Sequence, residues 1–235
     1  MPIAYFSKAL EKAGFRHVFS MRTSSPADIG AAVGAPFERI RIVKQVHSAR
    51  VIDVADGPSE TQEADAIVSR GAEAVAIRTA DCVPILIADP TTGAVAAIHA
   101  GWRGVVSGIV PNALDLLGRD REKWIAAIGP SICGDCFEVG ADVAEKIIGA
   151  SNDSIVTKRV GEKACATFGS ACLVRHKVFV DLRKAVRAQL TRGGLVEANI
   201  EDVAGCTYHQ KDLFFSYRRD GANAGRLIAA ASPRG

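Results

Sequence analysis

Five short apolar, β-branched runs are crowded between Ala64 and Gly129: ADAIVS, AVAIRT, VPILIAD, GAVAAIHA and WIAAIG. Turn residues bound them at Gly71, Asp89-Pro90 and Thr92-Gly93. Runs of this length, too short for helices and apolar on both alternating faces, read as buried strands. They are expected to form one sheet. Two further short runs, Ile40–Val43 and Val51–Val54, flank the polar stretch KQVHSAR.

Helical patterns fall between the strands. Gly104 to Leu117 carries Val105, Ile109 and Leu116 at helical spacing, with a kink or restart expected at Pro111. Val139 to Ile148 is a short amphipathic candidate. Asp181 to Leu190 has a capping aspartate, one face of Leu182, Val186 and Leu190, and a Gly193-Gly194 stop. LFFSYRR and RLIAAA return to strand patterns. Strands and helices interleave without a regular βαβ rhythm, which favours a mixed-sheet α+β or α/β fold over a Rossmann or barrel architecture. No linker-like segment or charge block divides the chain, so residues 1–235 are read as a single domain.

The 235 residues carry a formal charge of +3 with scattered cations. That gives no footprint for nucleic acid or an anionic membrane. No apolar run reaches the ~20 residues a spanning helix needs, and the N-terminal stretch lacks the apolar core of a signal peptide, so a cytoplasmic address is expected. Six irregularly spaced cysteines do not form a secreted disulfide framework and are expected to be reduced.

Polar islands interrupt the apolar runs. KQVHSARV holds His47, TADCVPILIAD holds Asp81 and Cys82 at a strand start, and AIHAGWRG holds His99 at a strand end. If the two strands pair antiparallel, Cys82 and His99 share a sheet edge. One thiolate and two imidazoles suit zinc or a soft transition metal, with a fourth position left for water whose pKa the metal lowers. Two other readings stay open. The three side chains are a buried thiol with two satisfied histidines, or Cys82 is a nucleophile with His99 as base and Asp81 or another acceptor as orienter.

In HAGWRG, Gly101 and Gly104 allow a tight strand-to-helix turn whose N–H groups, with Arg103, suit an anion. CGDC, Cys133 to Cys136, is one C-x-x-C pair. Cys165, Cys172 and Cys206 supply no second pair of that spacing, so structural or incidental thiols are the favoured reading over redox or metal use. FFSYRRDG places Tyr217, Arg218, Arg219 and Asp220 near a strand end, as an anion site or a solvated rim.

Taken in order, KQVHSARV, ADAIVSR, TADCVPILIAD, AIHAGWRG, IGPSICGDCFEVG and CTYHQKDLFFSYRRDG resemble the laccase-domain family. Its members are also called polyphenol oxidase-like proteins, purine nucleoside phosphorylases or peptidoglycan editing factors. The resemblance implies an α+β, α/β sandwich-like fold with mixed β-sheets flanked by helices. It implies a zinc site at His47, Cys82 and His99, with copper as the second choice. It also implies phosphorolysis of adenosine, inosine, guanosine and methylthioadenosine, and deamination of adenosine. The alternative activity is hydrolysis of wrongly built peptidoglycan precursors. With this reading go Asp81 as proton handler or orienter of a ligand histidine, and Arg103, Gly101, Arg22 and Arg218 as phosphate or substrate contacts. The partners expected are a nucleoside and phosphate, with the protein a monomer.

Multicopper oxidation is disfavoured, because five histidines are too few for its several copper centres. The chain also departs from the family pattern. FSMRTSSPADIGAAVG runs on without a glycine- and serine-rich segment and S-L-N motif, and Lys44 and Ser48 stand where Asn and Gly are usual.

Overall fold

The computed structural model describes residues 4–151, 155–160 and 177–234. Cys165, Cys172 and His176 lie outside the described residues. In chain order the elements are β1 (Ala4–Tyr5), α1 (Lys8–Lys12), β2 (His17–Ser20), α2 (Pro26–Val33), β3 (Arg41–Ile42), β4 (Val51–Asp53), β5 (Ala66–Ser69), β6 (Val75–Thr79), β7 (Val83–Ala88) and β8 (Val95–Ala100). Then follow α3 (Trp102–Ser107), α4 (Ile109–Leu117), β9 (Ile125–Ile128), β10 (Glu138–Gly140), α5 (Ala141–Ser151), β11 (Val156–Val160), β12 (Lys177–Val180), α6 (Leu182–Arg192), β13 (Ile200–Asp202), α7 (Tyr217–Asp220) and β14 (Leu227–Ala231).

Among the described residues the strands form three sheets, ordered β1-β2-β14-β6-β3, β13-β9-β7-β8-β5-β4 and β10-β12-β11. Parallel and antiparallel pairs mix in both large sheets. Side-chain alternation sets the layers. In β7, Leu86 and Ala88 pack with Phe19, Ile77 and Ala229 between the two large sheets. The intervening Ile85 and Ile87 face the other way, onto Ile109, Leu114, Val186 and Leu190 of α4 and α6. On the far side, α2 lays Ile29 and Val33 against Val18, Ala76 and Ile228. The result is a helix–sheet–sheet–helix sandwich. Strands covered on both faces must be apolar throughout, which is why the sequence runs show no polar alternation.

Three expectations are corrected. The runs from Ala64 to Gly129 do not share one sheet, because β6 lies in the five-stranded sheet while β5, β7, β8 and β9 lie in the six-stranded one. Only residues 80–82 separate β6 from β7, and the crossing is made at Asp81 with φ 86°. The expected break at Pro111 falls instead at Gly108, whose φ of 89° ends α3 and starts α4. Pro111 then sits in the first turn of α4, where its missing N–H costs nothing. Finally, the SYRRD segment is the short helix α7 rather than a strand, with the Ser216 hydroxyl capping the Arg219 N–H.

The Asp181 helix stands as expected. Its carboxylate accepts from the N–H groups of Arg183 and Lys184, and Gly193 ends it. No helix among the described residues is long and apolar enough to cross a membrane.

Candidate metal centre

The starts of β4, β5 and β7 and the ends of β8 and β9 meet at one edge of the six-stranded sheet. Antiparallel register sets Val83 opposite Ala100 and Pro84 opposite His99, so Cys82 and His99 are neighbours as the sequence suggested. Parallel pairing of β4 with β5 brings the preceding loop, with His47, to the same edge. His47 Nε2 lies 4.0 Å from Cys82 Sγ. The two imidazole rings stand nearly perpendicular, their centroids 4.8 Å apart.

All three donor atoms lie within 4.8 Å of one another. Tetrahedral zinc with ordinary Zn–S and Zn–N bonds sets such atoms about 3.4–3.8 Å apart, so a small inward movement completes the set. The donors therefore fit a metal ion, with one coordination position left over. Gly101 is required here for space, not for its backbone angles. A Cβ on it would meet both Cys82 Sγ and His47 Cδ2 at 3.1 Å. Gly104 is likewise closed in by the Ser48 carbonyl oxygen at 3.0 Å. The tight strand-to-helix turn stands as expected, with β8 ending at Ala100 and α3 starting at Trp102, and neither glycine has a left-handed φ.

Asp65, fully buried at the head of β5, organises the centre. Its Oδ1 lies 2.8 Å from His99 Nδ1, leaving Nε2 as the metal-facing nitrogen. The same carboxylate accepts from the backbone N–H groups of Val46, His47 and Ser48 and from the Ser48 hydroxyl. These bonds hold His47 at φ 60°, a left-handed conformation that a residue other than glycine adopts at a cost of about 1 kcal/mol or more. One carboxylate thus orients one ligand ring and anchors the loop of the other. Ser48, where the family pattern has glycine, adds a hydrogen bond to this hub.

Burial alone would raise the Asp65 carboxyl, but the bonds from His99 and Ser48 outweigh it and bring it down to about 2. Burial would likewise raise the Cys82 thiol, yet the neighbouring His99 and His47 bring it down to about 6. His99, disfavoured as a cation by burial, is raised to about 9 by Cys82 and Asp65. In the metal-free protein these shifts favour a Cys82 thiolate beside a protonated His99, whose Nε2 proton leaves when a metal binds.

Asp81 does not orient a histidine, and the reason is geometric. Its carboxylate points to the C-terminal segment and accepts from Thr207 Oγ1 at 2.6 Å, Ser216 Oγ at 3.1 Å and the Arg218 N–H at 2.6 Å. Asp65 holds the orienting place assigned to it. In the sequence Asp65 reads only as part of a strand, and the signal that marks it is a lone acid at the head of an apolar run.

A cavity of about 660 Å³ opens over the centre. His47, Asp81, Cys82, His99, Arg103 and Arg218 line it, together with Arg78, Phe137, Tyr217 and Arg226. Gln45, also on the wall, ties the His47 loop to β6 through paired 2.7 Å bonds with the Arg78 backbone. Arg103 stacks on Trp102 at 4.6 Å, and Arg218 Nη2 donates to the Glu138 carbonyl oxygen. Arg22 is not on this wall. Its guanidinium donates to the Lys211 carbonyl oxygen and lies over the Phe215 ring, which removes it from the expected phosphate contacts.

The family model described as multi-copper polyphenol oxidoreductase laccase matches residues 24–233. The chain belongs to that family. It is 35% identical over 212 residues to a protein named adenosine deaminase RL5, from an unknown prokaryotic organism, covering 83% of this chain and 76% of the relative. It is 34% identical over 193 residues to purine nucleoside phosphorylase YfiH of Escherichia coli strain K12, covering 80% and 71%. The crystal structure of Neisseria meningitidis protein NMB0706 matches with a TM-score of 0.74 at 30% identity, covering 93% of this chain and 94% of that one. YlmD from Geobacillus stearothermophilus shares the fold, with a TM-score of 0.79 at 22% identity over the whole of both chains. For this laccase-family chain, the His47, Cys82 and His99 group could bind a metal.

Replacing Asp65 with Asn removes the charge that orients the His99 ring and anchors the His47 loop. Metal affinity is expected to fall about 10–100-fold, read by competition with a chromophoric chelator. Unchanged affinity would show that Asp65 does not support the ligands.

Proposed function

We propose that this chain is a zinc-dependent purine nucleoside phosphorylase that also deaminates adenosine, with adenosine, inosine, guanosine and methylthioadenosine as its substrate class. The observation that carries the reading is the convergence of the three-ligand centre and several arginines on one cavity. The names of the relatives, adenosine deaminase and purine nucleoside phosphorylase, support the same chemistry.

Zinc is preferred to copper because three nitrogen and sulfur ligands with a fourth position left for water match the pattern of a catalytic zinc site. Bound there, the metal supplies a Lewis acid that lowers the pKa of water, as deamination requires. The chain's own residues do the rest. Arg103 and Arg218 hold the phosphate, whose oxygen bonds to C1′ as the bond from C1′ to the purine nitrogen breaks. Phe137 and Tyr217 offer flat apolar faces for the base. Asp81, engaged by three donors, positions the wall on which Arg218 sits. The protein acts as a cytoplasmic monomer in this reading, without nucleic-acid or membrane partners.

The test is chromatography of adenosine incubated with zinc-loaded protein, with and without phosphate. Phosphate-dependent release of adenine and ribose 1-phosphate is expected, with inosine forming in either condition. Arg103→Ala is expected to raise the KM for phosphate at least ~10-fold with a smaller change in that for adenosine, the size of one lost charged contact. Neither product in either condition would remove the nucleoside reading and make peptidoglycan precursors the next substrates. An unchanged phosphate KM in Arg103→Ala would remove its assigned role.

A further inference from the structure

Away from the first centre, the C-x-x-C pair of Cys133 and Cys136 has a partner that is not a second C-x-x-C. The partner is C-x-x-H: Cys206, Thr207, Tyr208, His209. The loop after β9 runs beside the loop after β13, joined by a parallel bridge between Ser131 and Cys206 and by the Thr207 N–H donating to the Ser131 carbonyl oxygen. This pairing faces the two turns toward each other.

Cys136 Sγ lies 3.1 Å from His209 Nε2, and Cys133 Sγ lies 4.0 Å from His209 Nδ1. One donor atom from each of the four residues lies within 4.8 Å of the other three. Three cysteines and a histidine converge, and all three cysteines are free. With Nδ1 as the ligand atom, the Cys136 and Cys133 sulfurs lie 3.9 and 4.0 Å away, slightly beyond the about 3.5–3.6 Å that tetrahedral zinc sets between sulfur and nitrogen, so a small inward movement completes the set.

The backbone carries a second sign. The Cys133 N–H donates to the Cys206 sulfur at 3.4 Å, which ties the two turns together at a ligand sulfur.

We propose that Cys133, Cys136, Cys206 and His209 form a second, structural zinc site of Cys₃His type. Four protein ligands fill the coordination sphere, so the site offers no open position for chemistry. Binding displaces the three thiol protons to solvent. The ion staples the Cys133–Cys136 turn to the C-terminal loop. The first carries Ile132 and Phe137 on the cavity wall, and the second carries Thr207, whose hydroxyl holds Asp81. The second site therefore fixes the wall of the first without touching its ligands.

The experiment is zinc content per chain, by plasma mass spectrometry on reduced, zinc-loaded and desalted protein. Two zinc ions per chain are expected in the unaltered protein, and one each in Cys82→Ala, Cys136→Ser and His209→Ala. Cobalt loading of Cys82→Ala tests the second site without disturbing it and without reference to any activity. Tetrahedral d–d absorption with strong thiolate charge transfer, lost in Cys82→Ala/His209→Ala, is the expected result. A single zinc ion that disappears in Cys82→Ala would overturn the proposal. So would pale octahedral cobalt, or a Cys133–Cys136 disulfide resistant to the reductant used.

Discussion

Cys82→Ala is expected to lower kcat/KM for adenosine at least ~10³-fold, about 4 kcal/mol of transition-state stabilisation. The substitution removes the one thiolate of the set and leaves two imidazoles, which hold a metal far more weakly. The fold should survive, because Cys82 is half-buried and supports no packing layer. It lies outside the clusters that bind the two sheets together. Steady-state kinetics beside thermal unfolding of the metal-free proteins separates the two effects. Loss of activity with an unchanged metal-free unfolding temperature is the predicted pattern. Activity within ~10-fold of the unaltered protein would mean that the chemistry does not run through this centre.

The second large effect is structural. Asp81→Ala is expected to destabilise the protein by about 3–5 kcal/mol. The buried carboxylate satisfies the Thr207 and Ser216 hydroxyls and the Arg218 N–H, and both hydroxyl residues are themselves fully buried. Removing it strands those donors away from water, and alanine at φ 86° adds strain that aspartate tolerates better. Asp81→Asn keeps one acceptor oxygen and the tolerated backbone, so its cost should be clearly smaller, about 1–2 kcal/mol. Urea unfolding of both variants checks the order. Equal and small losses, below about 1 kcal/mol, would show that the carboxylate does not hold the C-terminal segment. Because α7 carries Arg218, the same variant should also weaken phosphate binding.

The candidate ligands were readable because strand ends are readable. Cys82 opens one apolar run, His99 closes the next, and a short turn dictates antiparallel pairing, so their proximity follows from local pattern. The sandwich layering was not. AVAIRT and VPILIAD are both short and largely apolar, and nothing in either says that three residues carry the chain from one sheet to the other. The crossing depends on Asp81 adopting a left-handed φ, and that conformation is held by Thr207, Ser216 and Arg218 from the far end of the sequence. Asp65 was hidden for a similar reason, since its partners are a loop eighteen residues back and a ring on another strand. The SYRRD helix is hidden because the aromatic run LFFSY before the arginines has the composition of a strand. Only the Ser216 cap and the Asp81 anchor turn it into a helix.

The most direct test of the central claim is a crystal structure with anomalous difference maps recorded on either side of the zinc absorption edge. The account predicts a peak that vanishes below the edge, at about 2.3 Å from Cys82 Sγ and about 2.0–2.1 Å from one ring nitrogen each of His47 and His99. Asp65 should remain on His99 Nδ1. A site free of metal in an active crystal, with Cys82 Sγ covalently bound to a trapped substrate fragment, would contradict it. That outcome would make Cys82, His99 and Asp65 the nucleophile, base and orienter of a metal-free enzyme.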